Sequence, residues 1–462
     1  MAKKAKKIRK DKRLELKIVN PDAAGIDVSS TEMQVCVPLD RDTDYNRTFG
    51  SFTEDLEKIG EWLLRCGIKT AVMESTGIYW LPLYMHLVGQ GVEVYLVNAK
   101  SVKNFSDEKK TDEIDAESLM VMHSYGLLKP SFQVNNFARE IRNLSRHRDN
   151  LISAAAKEVQ HIQKSMEMMN IKLSNVISDI TGKSGQAIIH AILAGERDAQ
   201  KLASLADNRC KISKEIIAKS LVGNWNEDLL FALKQSHELY HFIQKQIIEC
   251  EQKIGDLVQK YSIHLPPQKQ ELIRSKKQTG KKVKVAFDVE AYGQKIFGVN
   301  LMRIPGINQG SLLKLIGELG HDFTETFETC RKFCCWENLA PNNKISGGKI
   351  ISSKLPKRKN PVGQIFREIA VSMSGSKSPF GDYYRRIRSR KGPMGALVAT
   401  ANKISKIVYT MVKDKTEYDQ NLIKIDEPVF MMRKLKNMQK SMAILQKQIE
   451  SYQTKPILQV VN

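Results

Sequence analysis

The chain has 462 residues, of which 42% are apolar; that is enough to bury a core and excludes disorder throughout. At roughly 150 residues per domain, its length suggests about three domains. Its formal net charge of +22 is usual for a protein held near polyanions, which means nucleic acid or anionic lipid.

The lipid option weakens on inspection. No stretch approaches the ~18 consecutive apolar residues of a spanning helix. The opening MAKKAKKIRKDKRLELK is basic, with no apolar run after it, so it lacks the layout of a secretory signal. Residues 1–16 read equally as a solvated tail or as an arm lying on a nucleic-acid backbone. The cysteines are Cys36, Cys66, Cys210, Cys250, Cys330, Cys334 and Cys335. Their odd number and irregular spacing point to a reducing cytosol. Cys330, Cys334 and Cys335 contain no C-x-x-C pair and have only His321 upstream, so packing thiols are expected there in preference to a zinc site.

Residues 17–130 alternate strand and helix. GIDVSS (25–30), MQVCVPL (33–39) and RTFGSF (47–52) predict three strands in a meander, followed by a helix over 54–66. KTAVMES (69–75) predicts a buried strand, 79–90 a helix, and VEVYLVN (92–98) a fifth strand. TDEIDAESLMVMHSYG (111–126) opens with a Thr cap and acidic first turn and closes at Gly126, as a helix does. This order is that of an RNase H-like α/β domain. Residues 137–265 are almost wholly helical, broken at SDITGKSGQ, and predict long paired helices in a coiled-coil arm or bundle. A polar linker is expected over 266–295. Residues 296–425 predict a mostly helical third unit, in which LMRIPGINQGSLLKLIGELG (301–320) has the pattern of a helix-hairpin-helix. A polar helix and tail over 426–462 carry no assigned chemistry.

Four carboxylates stand out by position. Asp27 lies mid-strand and has no capping work to do. Glu74 closes the fourth strand. Asp112 and Asp115 open a helix at i, i+3 and share a face. In an RNase H-like sheet the first and fourth strands are neighbours, and the helix after the fifth crosses near their ends. The four acids would then converge. Hard divalent cations with oxygen ligands would relieve their repulsion and serve in-line displacement at phosphorus. Taken singly, Asp112 reads as an ordinary helix-start acid.

GIDVS, AVMESTG, KTDEIDAESL, MRIPGI, ENLAP and SGGK occur in that order. Together they resemble the DEDD transposases of the IS-one-ten family of bacterial insertion sequences, over roughly residues 20–420. The resemblance implies a RuvC-like N-terminal domain, a coiled-coil middle with a helical insertion, and a C-terminal transposase domain. It implies that Asp27, Glu74, Asp112 and Asp115 hold Mg²⁺. It also implies that Ser346 in ISGGK is a nucleophile forming a covalent phosphoserine link with DNA. A structured non-coding bridge RNA would guide the protein to target and donor DNA. Dimers would pair into tetramers, with one subunit's acids meeting another's serine, in the bacterial cytoplasm at the nucleoid. Taken alone, Ser346 reads as a plain loop serine, since nothing beside it supplies a base; Ser352 and Ser353 are natural decoys. One departure is Asn338 in Asn338-Leu339-Ala340-Pro341, where the family usually has glycine; asparagine tolerates the left-handed region.

Basic residues follow the serine: Lys349, Lys354, Lys357, Arg358 and Lys359. Arg385, Arg386, Arg388 and Arg390 come later, beside Tyr383 and Tyr384, which are expected to stack on bases. Such a path would give affinity and salt dependence but not sequence choice. The reading is a DNA transposase or recombinase. Its rivals are a RuvC-like, water-using nuclease such as a Holliday-junction resolvase, and a non-enzymatic nucleic-acid-binding protein.

Overall fold

Five short apolar runs form one mixed sheet in the N-terminal part of the chain. They are β1 (Ala23–Val28), β2 (Glu32–Cys36), β3 (Asn46–Gly50), β4 (Thr70–Glu74) and β5 (Glu93–Val97). The strand order is β3-β2-β1-β4-β5. β1 and β3 each run antiparallel to β2, whereas β1, β4 and β5 run parallel. The computed structural model describes residues 17–75, 77–98, 112–263, 265, 272, 274–275, 285–357, 359–419 and 427–453. The expected tail 1–16, Thr111, Arg358, most of the expected linker and residues 454–462 lie outside the described residues. The chain divides into two units, Met1–Gln133 and Val134–Asn462.

In the first unit the sheet is covered on both faces. Side chains alternate along a strand with period two. Ala24, Ile26 and Val28 of β1 and Ala71 and Met73 of β4 share a core with Ile59, Trp62 and Leu63 of α1 (Thr53–Arg65) and Leu83 and Leu87 of α2 (Trp80–Gly89). The intervening residues face α3 (Asp112–Ser124): Val72 clusters with Leu119 and Met122, and Cys36 with Ala116 and Met120. Gly25 is needed on that face. A β-carbon there would lie 2.1 Å from the Ala116 carbonyl oxygen and 2.3 Å from the Met120 nitrogen, so only glycine lets the helix come this close.

The second unit is built on α4 (Asn136–Met168) and α9 (Glu227–Ile263). Ala155 packs with Ile243 and Ile247 between them. A buried ion pair also joins them, with Arg148 Nη2 2.7 Å from Glu251 Oε1. The break expected near SDITGKSGQ is a small helical subdomain of α5 (Leu173–Val176), α6 (Lys183–Leu193), α7 (Ala199–Ser204) and α8 (Lys214–Ser220). Its core includes Ile171, Ile188, Ile192, Leu202 and Ile217, closed by Ile162 of α4 and Leu233 of α9.

The helical middle and the C-terminal part both lie within this second unit. α10 (Val289–Phe297) begins within the expected linker and runs past its end. Arg142 of α4 donates to the carbonyls of Gly317 (3.2 Å) and Glu318 (3.1 Å) on α11 (Gln309–Leu319). The segment read as a helix-hairpin-helix is a 3-10 turn over Leu301–Arg303, a left-handed Gly306 and α11. Gly306 abuts Met373 and Ile369, so the tight turn faces protein at that point. α12 (Phe323–Thr326) and α13 (Cys330–Trp336) lead to a hairpin, β6 (Lys344–Ser346) and β7 (Lys349–Ser352). α14 (Pro361–Met373) and α15 (Pro379–Asp414) follow; α15 is interrupted at Gly392. α16 (Glu427–Gln453) is the last described element. Among the described residues, no helix is long and apolar enough to cross a membrane.

Candidate functional site

The carboxylates of the first unit are placed by strand register. Gly25 pairs with Val72 and Ile26 with Met73 across the parallel β1–β4 ladder. Asp27 and Glu74 are the next residue on each strand, and alternation puts both on the Gly25–Val72 face, under α3. The direction of α3 is fixed at its other end. The Val19 and Asn20 N–H groups, just before β1, donate to the Ser124 carbonyl at 2.7 and 2.9 Å. Thr70 at the start of β4 is hydrogen-bonded to His123 (Oγ1 to Nε2, 2.9 Å). α3 therefore runs opposite to β1 and β4, and its first turn lies at their carboxyl ends. Asp115, Leu119 and Met122 follow i, i+4, i+7 spacing, so Asp115 continues the stripe that packs on Val72. Asp27, Glu74 and Asp115 thus share one face and one end of the sheet, and each is half-buried. Asp112 begins the same helix, but its side chain lies outside the described residues. Among the described residues no three His, Cys, Asp or Glu groups close into a metal-binding cluster.

Ser346 sits at the tip of a hairpin in the second unit. Gly347 (φ 54°) and Gly348 (φ 75°) form its two-residue turn. Positive φ at both positions is the primed turn that matches strand twist. Ser346 pairs with Lys349 across the ladder, and every residue from Lys344 to Ile351 is exposed. A β-carbon on either glycine would meet nothing within 4 Å; the glycines serve backbone conformation and leave space around the hydroxyl. The mostly helical expectation for this unit missed the hairpin. Gly-Gly between two β-branched runs was the signal for it.

Residues 24–171 match a family model of DEDD transposases of IS110 elements, described as transposase. Residues 299–385 match a second, described as transposase of the IS116/IS110/IS902 family. The chain belongs to the IS110 (IS-one-ten) family of transposases. The search among curated proteins gave no match. The first match covers Asp27, Glu74, Asp112 and Asp115, and the second covers Ser346. The helical subdomain from α5 to α8 falls between them.

Asn338 adopts φ 56°, a left-handed conformation that asparagine tolerates. The turn is anchored: Arg367 donates to the Asn338 carbonyl at 2.9 Å. Its neighbour Glu337 is fully buried and accepts a short hydrogen bond from Ser405. Burial pushes the Glu337 carboxyl well above the usual carboxylate range. Cys334 is buried beside this group, with Sγ 3.7 Å from Ser405 Oγ. All seven cysteines are free thiols, and Cys335 is exposed.

The basic residues are only partly available. Lys349, Lys354, Lys357 and Lys359 are exposed near the hairpin. On α15, Arg388 and Arg390 are exposed, but Arg385 is held by Asp382 and by the Ser376 carbonyl at 2.8 Å. Arg386 lies over the Tyr383 ring, 5.4 Å from its centroid. Tyr384 is buried in the core. The expectation that Tyr384 stacks on bases is therefore corrected: its i, i+4 alignment with Phe380 turns it inward.

Proposed function

We propose that this IS110-family transposase cuts and rejoins DNA strands through Ser346, and that Asp27, Glu74, Asp112 and Asp115 hold Mg²⁺. The first unit is read as RNase H-like, or RuvC-like. The observation that carries this reading is the common face and common end of Asp27, Glu74 and Asp115. The first two are fixed by parallel strands, and the third by a helix lying on the same face. The set offers only oxygen donors, which hard cations take. When bound, such cations would polarise phosphate oxygens and offset charge during in-line displacement.

The chain's own residues do the rest. β1 and β4 hold Asp27 and Glu74 in fixed register. The first turn of α3 places Asp115 and Asp112 at the positive end of the helix dipole, which lowers the cost of gathering acids. At Ser346, a bond from Oγ to a DNA phosphorus forms as the bond to one bridging DNA oxygen breaks. That oxygen leaves as a hydroxyl. The number of phosphoester bonds is unchanged, so the reverse step rejoins strands without ATP. The hairpin sequence KISGGKIISSK contains no carboxylate or histidine, so the Oγ proton must go to a group outside it. We assign that group to the carboxylate site of another subunit, in dimers that pair into tetramers. The +22 charge and the exposed lysines near the hairpin support contact with target and donor DNA and with a structured guide RNA.

The test is covalent capture. Ser346→Ala should lose cutting, joining and the protein–DNA adduct, while Ser352→Ala and Ser353→Ala keep all three. Mixed Ser346→Ala and Asp27→Ala chains should regain part of the activity. Full cleavage by Ser346→Ala would favour the water-using nuclease. Strand exchange unaffected by omitting the element's own RNA would remove the guide from the reading.

A further inference from the structure

The long helices of the middle region are occupied with each other, whereas the described apolar side chains of α16 are exposed. In α16 the residues Met431, Leu435, Met438, Met442, Leu445 and Ile449 recur at steps of 4, 3, 4, 3 and 4. This is the a/d pattern of a heptad repeat; Tyr452 continues it in sequence. All six are between 56% and 61% exposed. The helix has 27 residues, nearly four heptads and about 40 Å at ~1.5 Å per residue. Water is a poor environment for such a stripe, and an isolated helix of this length is marginal.

The charges indicate what covers it. Arg433, Lys436, Lys440, Lys447 and Glu450 occupy the b and f positions, away from the seam. The flanking e and g positions hold Met432, Gln439, Ser441, Gln446, Gln448 and Gln453, with Glu427 and Lys434, of opposite sign, the charges among them. In a chain of net charge +22, a copy meeting a copy must avoid like charge, and these flanks, almost wholly uncharged and with one residue of each sign, do so. A phosphate-binding helix would turn its lysines toward the contact. A membrane-surface helix would show a broader apolar face with bulky aromatics. The 3.5-residue seam, flanked by the exposed Met432 and Ile444, instead fits one more helix of the same kind.

We propose that α16 is a self-association helix, whose Met431–Ile449 seam pairs with the same seam of a second copy of this chain. The inference does not rest on the catalytic reading. It predicts association even in a chain unable to cut DNA.

The experiment uses the full chain carrying Ser346→Ala, without nucleic acid, followed by light scattering across a dilution series. The background chain should associate. Adding Leu435→Glu, Met442→Glu and Ile449→Glu should weaken that association at least 100-fold. Lys436→Glu with Lys440→Glu, on the outer face, should leave it unchanged. Met438→Leu with Met442→Leu, which keeps the seam apolar, should preserve or tighten it. Leu435, Lys436, Met438, Met442 and Ile449 are exposed, and thermal melting of the main cores serves as the folding control. A single-chain mass for the background protein at tens of micromolar would overturn the proposal. So would an unchanged mass in the triple-Glu variant. Loss of binding to anionic vesicles in that variant, with association intact, would also overturn it and assign the helix to a lipid surface.

Discussion

Asp27 and Glu74 are each the residue that follows the Ile26–Met73 pair on two adjoining parallel strands, so two carboxylates lie side by side on the face covered by α3. Such a pair is unfavourable without a cation. Asp27→Asn and Glu74→Gln should therefore each raise the stability of the metal-free protein by about 1 kcal/mol. The same changes should lower Mg²⁺-dependent strand cleavage at least ~100-fold. Calorimetry with and without Mg²⁺, alongside a cleavage assay, checks both signs. Loss of stability with full cleavage would remove these residues from the site.

The turn beside Ser346 depends on backbone conformation alone. Gly347 and Gly348 have positive φ and open space around them. Gly348→Ala should cost the hairpin about 1 kcal/mol and reduce adduct formation, with the global melting temperature nearly unchanged. Gly347→Asn should be tolerated, because Asn-Gly suits the same turn. Equal activity of Gly348→Ala and the parent would show that the turn geometry is not used.

The Arg148–Glu251 pair joins α4 to α9, and the second Glu251 oxygen accepts from the Ala286 N–H at 2.9 Å. Glu251→Ala should destabilise the second unit by about 3–5 kcal/mol, because it leaves a buried guanidinium uncompensated. Replacing both partners with apolar residues, Arg148→Met with Glu251→Leu, should recover much of that loss in denaturant unfolding. A double variant no better than the single would locate the cost elsewhere.

Glu337 gives a pH signature. Its carboxyl is held well above the usual range by burial, so the folded state keeps a proton that the unfolded chain releases. The folded state is fully favoured below the unfolded pKa. It loses ground as pH rises above ~4.3, until the folded group itself ionises. Glu337→Gln, which cannot ionise, should match the parent near pH 4 and exceed it in stability at pH 8. Parallel stability curves for the two proteins across that span would refute a raised pKa.

The sequence by itself determined the local features of this protein. Period-two alternation set the first five strands within a few residues. The acidic opening turn and the Gly126 end marked α3, and asparagine's tolerance of the left-handed region anticipated the φ of Asn338. Each of these depends on neighbours in the chain. Tertiary structure decided what depends on distant partners. Parallel pairing of β1 with β4 crosses some forty residues, and only that pairing sets Asp27 beside Glu74. Burial of Tyr384 and Glu337 came from the packing of α13 to α15, which no local pattern encodes. The joining of α4 to α11 came from Arg142 finding the carbonyls of Gly317 and Glu318. The hairpin at Ser346 was the exception: its Gly-Gly turn was legible locally, but the helical composition around it masked the signal. The heptad of α16 was likewise present in the residues, yet its meaning came from the fold. An apolar seam becomes informative only when the structure shows it left in water.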